Sequence, residues 1–120
     1  MQNSKNILTV LRALEAMASE MGSDVPLTYV NAFLHVAAAG DVGIDQGTLV
    51  KKLDTSPSAG GRAVLALSRM SWAKDGEGNK KPGFDLIRSE QNPQNFRLRN
   101  LYLTPAGKRL AEKIGGGTLK

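Results

Sequence analysis

One short segment of the chain, SPSAGGRAV at residues 56–64, gathers side chains suited to holding a phosphate or the edge of a base. Ser56 and Ser58 carry hydroxyl groups, and Arg62 is the one long hydrogen-bond donor of the segment. A serine followed by Pro57 is typical of the start of a helix, whose free N–H groups favour anions. The segment therefore predicts a helix that offers hydroxyl, amide and guanidinium donors to phosphate oxygens or to a guanine edge.

Two adjacent glycines weaken this helix in its second turn, since each costs about 1 kcal/mol relative to alanine. Helical geometry places Gly60 on the inner face, where a missing side chain lets the helix cross the preceding one closely near Leu49 and Leu53. Gly61 lies on the outer face beside Arg62, where it lets the backbone approach a duplex. The alternative is that the two glycines simply bend or fray the helix.

Charge is distributed unevenly along the chain. The 120 residues carry a formal net charge of +5, with 2 basic and 5 acidic side chains in residues 1–50 and 14 basic and 6 acidic ones in residues 51–120. The second part is therefore the candidate surface for a polyanion such as nucleic acid. The alternative is that these charges form the ordinary solvated surface of a basic protein.

The composition also limits the class of protein. A hydrophobic fraction of 41% is enough for the core of one domain, and the absence of cysteine excludes disulfides and thiolate metal sites. The longest apolar stretch, near residues 29–39, is too short to span a bilayer, and the N-terminus lacks the pattern of a signal peptide. We therefore expect a soluble cytoplasmic protein with no membrane partner.

The spacing of apolar and turn-forming residues predicts the elements that must position the segment. Helices are expected over residues 4–21, 28–40, 45–53 and 56–70, with Ser4, Thr28, Asp45 and Ser56 as N-caps. A tight turn at 54–55 joins the last two helices into a helix-turn-helix unit. Residues 71–83 are rich in glycine and lysine and are expected to form a loop.

A β-hairpin and a last helix are expected after this loop. The stretches FDLIRS and FRLRNLYL, separated by EQNPQN, have the composition of two strands and a turn. Because alternate residues of a strand share a face, Arg97 and Arg99 should point the same way. Thr104 and Pro105 then repeat the cap-and-proline pattern and begin a helix that is expected to end near Ile114.

Two helices, a tight turn, a further helix and an arginine-bearing hairpin follow one another in the order of a winged helix-turn-helix. Over roughly residues 27–114 the sequence resembles the MarR-like winged-helix transcription regulators. LDTSPSAGGRAVLAL at 53–67 resembles the recognition helix of that family, and GFDLIR at 83–88 and LTPAGKRL at 103–110 resemble the two ends of its wing. The expected fold class is mainly α with a small β-hairpin (α+β).

The chain also departs from this family. Pro57 stands where many relatives have lysine, Leu65 where a polar residue would be expected, and the connection at 71–82 is longer than usual. The family normally ends with a long dimerisation helix, whereas the last helix of this chain is expected to end near Ile114. Helix one is therefore expected to carry more of a dimer interface, through Ile7, Leu11, Leu14 and Met21.

The resemblance implies a homodimeric transcription regulator, acting as a repressor, that binds double-stranded DNA sequence-specifically through a recognition helix at 56–70 and a basic wing at 84–103. A dimerisation element is expected at 1–24, the winged domain at 25–114 and a flexible tail at 115–120. The expected DNA contacts are Ser56, Ser58, Gly61, Arg62, Lys80, Lys81, Arg88, Arg97 and Arg99.

Catalytic and metal sites find no support in the sequence. His35 is the only histidine and lies in the most apolar predicted helix. DVGIDQGTLVKK faintly resembles a calcium loop, but Lys52 stands where a bidentate glutamate is needed. DGEGNKKPG lacks the spacing of a nucleotide-binding loop, and no nucleophile lies beside a base. We expect no enzyme activity, no metal and no cofactor.

Two other functions remain compatible with a winged helix, because a fold does not determine a function. One is an adaptor of phage or mobile-element origin that binds a host protein. The other is a DNA-binding protein that initiates replication. A regulator should lose duplex affinity steeply as salt rises, whereas an adaptor should bind duplexes weakly or not at all.

Overall fold

The computed structural model describes residues 2–68, 70–74 and 80–119. Its helices are α1 (Gln2–Met21), α2 (Leu27–Ala39), α3 (Gln46–Leu53), α4 (Pro57–Leu67) and α5 (Pro105–Leu119), with a 3-10 turn at Gly40–Val42. Its strands are β1 (Ile44–Asp45), β2 (Met70–Lys74), β3 (Lys80–Pro82), β4 (Ile87–Asn92) and β5 (Asn95–Leu103). The chain is mostly helical with small antiparallel sheets, which confirms the expected fold class.

The α2 helix is central because its sequence is apolar on nearly every side. Ala32, Phe33 and Val36 of this helix are fully buried. Val30 of the same helix is also buried, and the other core side chains come from the remaining helices and from the wing region: Met17, Met21, Leu49, Ala63, Val64, Leu67, Leu86, Ile87, Leu101 and Leu110. One continuous core thus holds the helix-turn-helix and the wing in a fixed relation.

The α1 helix has two halves with different surroundings. Its C-terminal half packs on the body of the protein, where Met17 and Met21 are buried. The Oε1 atom of Glu20 in this half lies 3.8 Å from Nζ of Lys113 in α5. Its N-terminal half leaves large apolar side chains exposed: Ile7 (66%), Leu8 (47%), Val10 (58%), Leu11 (47%) and Leu14 (42%). The prediction that Met21 belongs to a dimer interface is wrong, because its own chain already covers it.

The wing is the hairpin of β4 and β5, as predicted, but its turn covers only residues 93–94, because both strands extend into the turn expected at 90–95. The β1 strand pairs with the other edge of β5, so the strand order is β1-β5-β4. Leu101 is buried and lies opposite Ser89, which places both on the face that packs toward the helices. Arg88 and Tyr102 form the next cross-strand pair and therefore lie on the opposite face.

A second hairpin, formed by β2 and β3, lies where a loop was predicted at 71–83. Met70 pairs with Pro82, and Lys74 pairs with Lys80. The prediction is wrong for residues 71–74 and 80–82, because the turn-forming composition of the whole segment does not distinguish two short strands at its ends from a loop. Residues 75–79 of the predicted loop lie outside the described part of the chain. This two-stranded sheet is separate from the sheet of the wing.

Both ends of the second hairpin are fixed at the C-terminal end of α4. The backbone N–H groups of Phe84 and Leu86 donate to carbonyl groups of α4 at 2.9 and 2.8 Å. Gly83 lies so close to the helix that an added Cβ would be 1.9 Å from the carbonyl oxygen of Ser68. The α4 helix therefore ends at Leu67, earlier than predicted, because its last carbonyl groups bind the returning chain.

Two further boundaries differ from the expectation. The α2 helix begins at Leu27 rather than at a Thr28 cap, because the carbonyl of Pro26 already accepts the N–H groups of its first turn. The α5 helix continues through its glycines to Leu119, where a flexible tail was expected from residue 115. Glycine weakens a helix without blocking it sterically, and no proline follows Ile114. None of the described helices has the length and apolar composition needed to cross a membrane.

Candidate nucleic-acid interface

Both helices of the helix-turn-helix begin at a capped residue, as predicted. The carboxylate of Asp45 accepts the hydroxyl of Thr48 at 2.6 Å and its backbone N–H at 3.0 Å, which starts α3. These two hydrogen bonds, the hydroxyl bond first, lower the pKa of Asp45. Asp54, at φ 53°, ends α3 in a left-handed turn. Ser56 then accepts the N–H of Ala59 at 3.1 Å and starts α4.

The α3 and α4 helices cross closely at Gly60, which is buried. A Cβ on Gly60 would lie 2.6 Å from Cγ2 of Val50 and 3.3 Å from its Cβ. Carbon atoms in contact are normally separated by about 3.5–4.0 Å. The predicted close crossing is confirmed, with Val50 as the neighbour rather than Leu49 or Leu53. The alternative of a frayed helix does not hold, since α4 continues through both glycines to Leu67.

The outer edge of α4 is open to solvent. Ser58 and Arg62 are exposed, and a Cβ on Gly61 would meet no atom within 4 Å. Arg62 has no ion-pair partner among the residues that the structure describes. A neighbouring molecule therefore has access both to the backbone at Gly61 and to an unpaired guanidinium group.

A large cleft of about 1080 Å³ separates this edge of α4 from the wing. The α4 side of the cleft is lined by Ser58, Gly61 and Arg62, and the wing side includes Ser89 and Arg99. The exposed edge of the helix and the arginine-bearing strand therefore face the same opening.

A smaller groove of about 520 Å³, the wing groove, lies between the wing and the start of the helix-turn-helix. Its lining includes Lys51 of α3 together with Arg97 and Arg99 of β5, so the two arginines reach the same groove. None of the described residues that line the groove is acidic. Three cations on one concave surface create a positive potential that attracts anions.

The arginines of the wing differ in how they are held. The Nε group of Arg99 donates to Oγ of Ser89 at 2.5 Å, and Nη2 donates to the Ser89 carbonyl at 3.4 Å. Arg88 instead forms an ion pair with Glu90 and lies 4.7 Å from the ring centre of Tyr102. Glu90 balances the charge of Arg88, whereas Ser89 fixes Arg99 without neutralising it.

Lys80 and Lys81 do not belong to the wing. Both lie on β3, in the second hairpin. These two expected DNA contacts therefore belong to a separate two-stranded sheet that precedes the wing.

Sequence reasoning missed three residues that line these openings. Lys51 lies opposite the wing, a place that follows only from the packing of β5 against α3. Ser89 meets Arg99 across two strands, which requires the register of the hairpin. Asp85 is an exposed acid in the large cleft and has a positive φ of 55°. Among the described side chains, no group of three His, Cys, Asp or Glu residues is placed to hold a metal ion.

Comparison with known proteins identifies similar structures. No family model matches the sequence, and no curated protein resembles it closely enough to count as a match. The chain is similar to S. aureus MepR in its DNA complex, with a TM-score of 0.62 and 18% identity over 100% of this chain and 83% of that one. It is also similar to the PcaV transcriptional regulator of Streptomyces coelicolor (TM-score 0.58, 17% identity, 97% and 74% covered) and to YusO of Bacillus subtilis (TM-score 0.59, 18% identity, 97% and 71% covered).

These three proteins are winged-helix transcription regulators of the MarR family, and none is an enzyme. At 17–18% identity, what the chain shares with them is the fold. The resemblance that the sequence indicated is thereby confirmed at the level of architecture: the chain adopts the winged helix-turn-helix fold of the MarR-family regulators.

Proposed function

We propose that the protein is a sequence-specific regulator of transcription that binds double-stranded DNA as a homodimer and acts as a repressor. The observation that carries the proposal is the large cleft, in which the exposed edge of α4 and the wing strand β5 face one opening. Its support from the comparisons is that MepR, a protein of the same fold, was solved as a complex with DNA.

In this proposal α4 enters the major groove and supplies the contacts to the bases. Arg62, exposed and unpaired among the described residues, hydrogen-bonds a guanine edge or a phosphate. Ser56 and Ser58 contact phosphate oxygens; Ser56 caps α4 with its oxygen and retains its own O–H for donation. Gly61 lets the helix backbone come close to the duplex.

The wing supplies contacts to the phosphate backbone beside the major groove. Arg97 and Arg99 share the wing groove, and in this proposal they contact one phosphate jointly. Arg88 also lines the large cleft, but its ion pair with Glu90 leaves it less net charge for this surface. Lys80 and Lys81 would have to contact DNA from the second hairpin, independently of the wing.

The homodimer is proposed from the exposed stripe of α1. Ile7, Leu11 and Leu14 recur at helical spacing and are between 42% and 66% exposed. A contiguous apolar patch of this kind on a soluble protein marks an interaction surface. A twofold dimer would present two α4 helices to half-sites about 34–36 Å apart, or one turn of the duplex.

Selection of bound duplexes from a random DNA pool, combined with a mass measurement in solution, tests the proposal. We expect enrichment of a sequence with twofold symmetry, a mass of two chains, and an affinity that falls steeply as salt rises. Binding without sequence preference would contradict a regulator. Absence of duplex binding would instead favour the adaptor that binds a host protein. Repression is tested separately, by placing the selected site in a promoter that drives a reporter.

A further inference from the structure

We propose that Ser89 is a positioning residue that holds the guanidinium group of Arg99 ready for a phosphodiester oxygen in the wing groove. The inference rests on the proposed binding of DNA and extends it in two ways. It assigns a role to a residue that does not itself carry charge. It also adds Lys51 to the phosphate-binding surface.

The register of the wing creates the contact. Ser89 lies opposite Leu101 and Arg99 lies opposite Gln91, so Ser89 and Arg99 are diagonal neighbours on one face of the hairpin. A side chain as long as arginine can reach a diagonal neighbour in an antiparallel sheet. The Nε–Oγ distance of 2.5 Å and the Nη2–carbonyl distance of 3.4 Å place two donors of Arg99 on a single residue.

Two contacts to one residue fix the plane of the guanidinium group. The group has five N–H donors, and these contacts use two of them. Three donors remain for a ligand, which is enough for the bidentate contact that arginine makes with a phosphate. Because an unbound arginine samples many rotamers, holding it before binding reduces the entropy lost when the complex forms.

Arg99 is held at the junction of the two openings. Its side chain lines both the large cleft beside α4 and the wing groove that contains Lys51 and Arg97. Serine is an uncharged acceptor, so all three positive charges of the groove remain available. Arg88 provides the contrast within the same hairpin, since its partner Glu90 is a carboxylate. The chemistry of the groove therefore fits one phosphate of a nucleic-acid backbone.

The test compares Ser89→Ala, Ser89→Thr and Arg99→Ala for binding to the selected duplex by fluorescence anisotropy across a range of salt concentrations. We expect Ser89→Ala to lower the affinity about three- to tenfold, the range expected for one hydrogen bond, and Ser89→Thr to retain the wild-type affinity. Ser89→Ala should leave the salt slope unchanged because the charge of Arg99 remains. Arg99→Ala should lower the affinity further and reduce the slope by about 0.9.

The double variant Ser89→Ala/Arg99→Ala decides whether Ser89 acts through Arg99. We expect it to bind as weakly as Arg99→Ala alone; additive losses, or wild-type affinity in Ser89→Ala, would overturn the proposal. Glu90→Gln serves as a control on the other face and should not weaken binding.

A readout without DNA separates this proposal from the proposed function. In the free protein, NMR should show slow solvent exchange of the Arg99 Nε–H in the wild type and in Ser89→Thr, and fast exchange in Ser89→Ala. Fast exchange in the wild type would contradict the positioning role even if DNA binds. If the wild type binds no duplex, both the proposed function and the proposed phosphate ligand are refuted. The exchange rate of the Arg99 Nε–H still shows whether Ser89 and Arg99 are in contact.

Discussion

Substitution of Gly60 by alanine tests the close crossing of α3 and α4. The new methyl group would lie 2.6 Å from Cγ2 of Val50 and 3.3 Å from both Cβ and Cγ1. Rotation of Val50 offers little relief, because its other atoms are also close and a β-branched side chain in a helix strongly prefers one rotamer. Overpacking costs roughly 1–3 kcal/mol. Alanine gains about 1 kcal/mol of helix propensity, so we expect Gly60→Ala to lower the free energy of unfolding by about 0–2 kcal/mol.

Gly61 provides a matched control one residue away. A Cβ there meets no atom within 4 Å, so Gly61→Ala should raise the free energy of unfolding by up to about 1 kcal/mol. The two variants should therefore differ by about 1–3 kcal/mol in urea denaturation, although the chemical change is identical. Adding Val50→Ala should cost less in the Gly60→Ala background than in the wild type. Equal stability of the two glycine variants would refute the close crossing.

Other predictions concern the cap, the recognition helix and the dimer. Asp45→Ala should lower the free energy of unfolding by about 1 kcal/mol at neutral pH. The folded-state pKa of Asp45 lies below its ordinary value of 3.8. The stabilisation from its carboxylate is therefore complete above that value and is lost as the pH falls through the folded pKa. In denaturation experiments between about pH 7 and pH 2, the difference in the free energy of unfolding between wild type and Asp45→Ala should shrink below about pH 4. Arg62→Ala should weaken binding to the selected duplex by about 1–3 kcal/mol if Arg62 contacts a base edge, and an unchanged gel shift would remove it from the interface. Leu11→Glu should leave the chain folded and halve the mass measured by sedimentation; a persistent dimer would place the interface elsewhere.

The helix-turn-helix could be predicted because its signals are local. The cap at Asp45 and the pair Ser56 and Pro57 mark the start of each helix within a few residues. Gly60 could be placed on the inner face from helical spacing alone. Its neighbour Val50 could not, because the crossing angle of two helices depends on the packing of all their side chains.

The contacts that could not be predicted depend on distant parts of the chain. The stripe of α1 is continuous in sequence, but only its C-terminal half is covered by the body of the protein, so Met21 and Leu11 have different surroundings. The contact between Ser89 and Arg99 depends on the register of the two strands. A shift of the pairing by one residue would move one of the two side chains to the other face of the sheet. The length of α4 was overestimated because Gly83 and the residues after it return to its last turn from outside the predicted unit.

The return of the chain to α4 at Gly83 makes the stretch between Ser68 and Gly83 a side branch of the fold. Its two ends meet at one point, since a Cβ on Gly83 would lie 1.9 Å from the carbonyl oxygen of Ser68. Because the chain returns to the point from which it left, the distance between α4 and the start of the wing does not depend on the number of residues between Ser68 and Gly83.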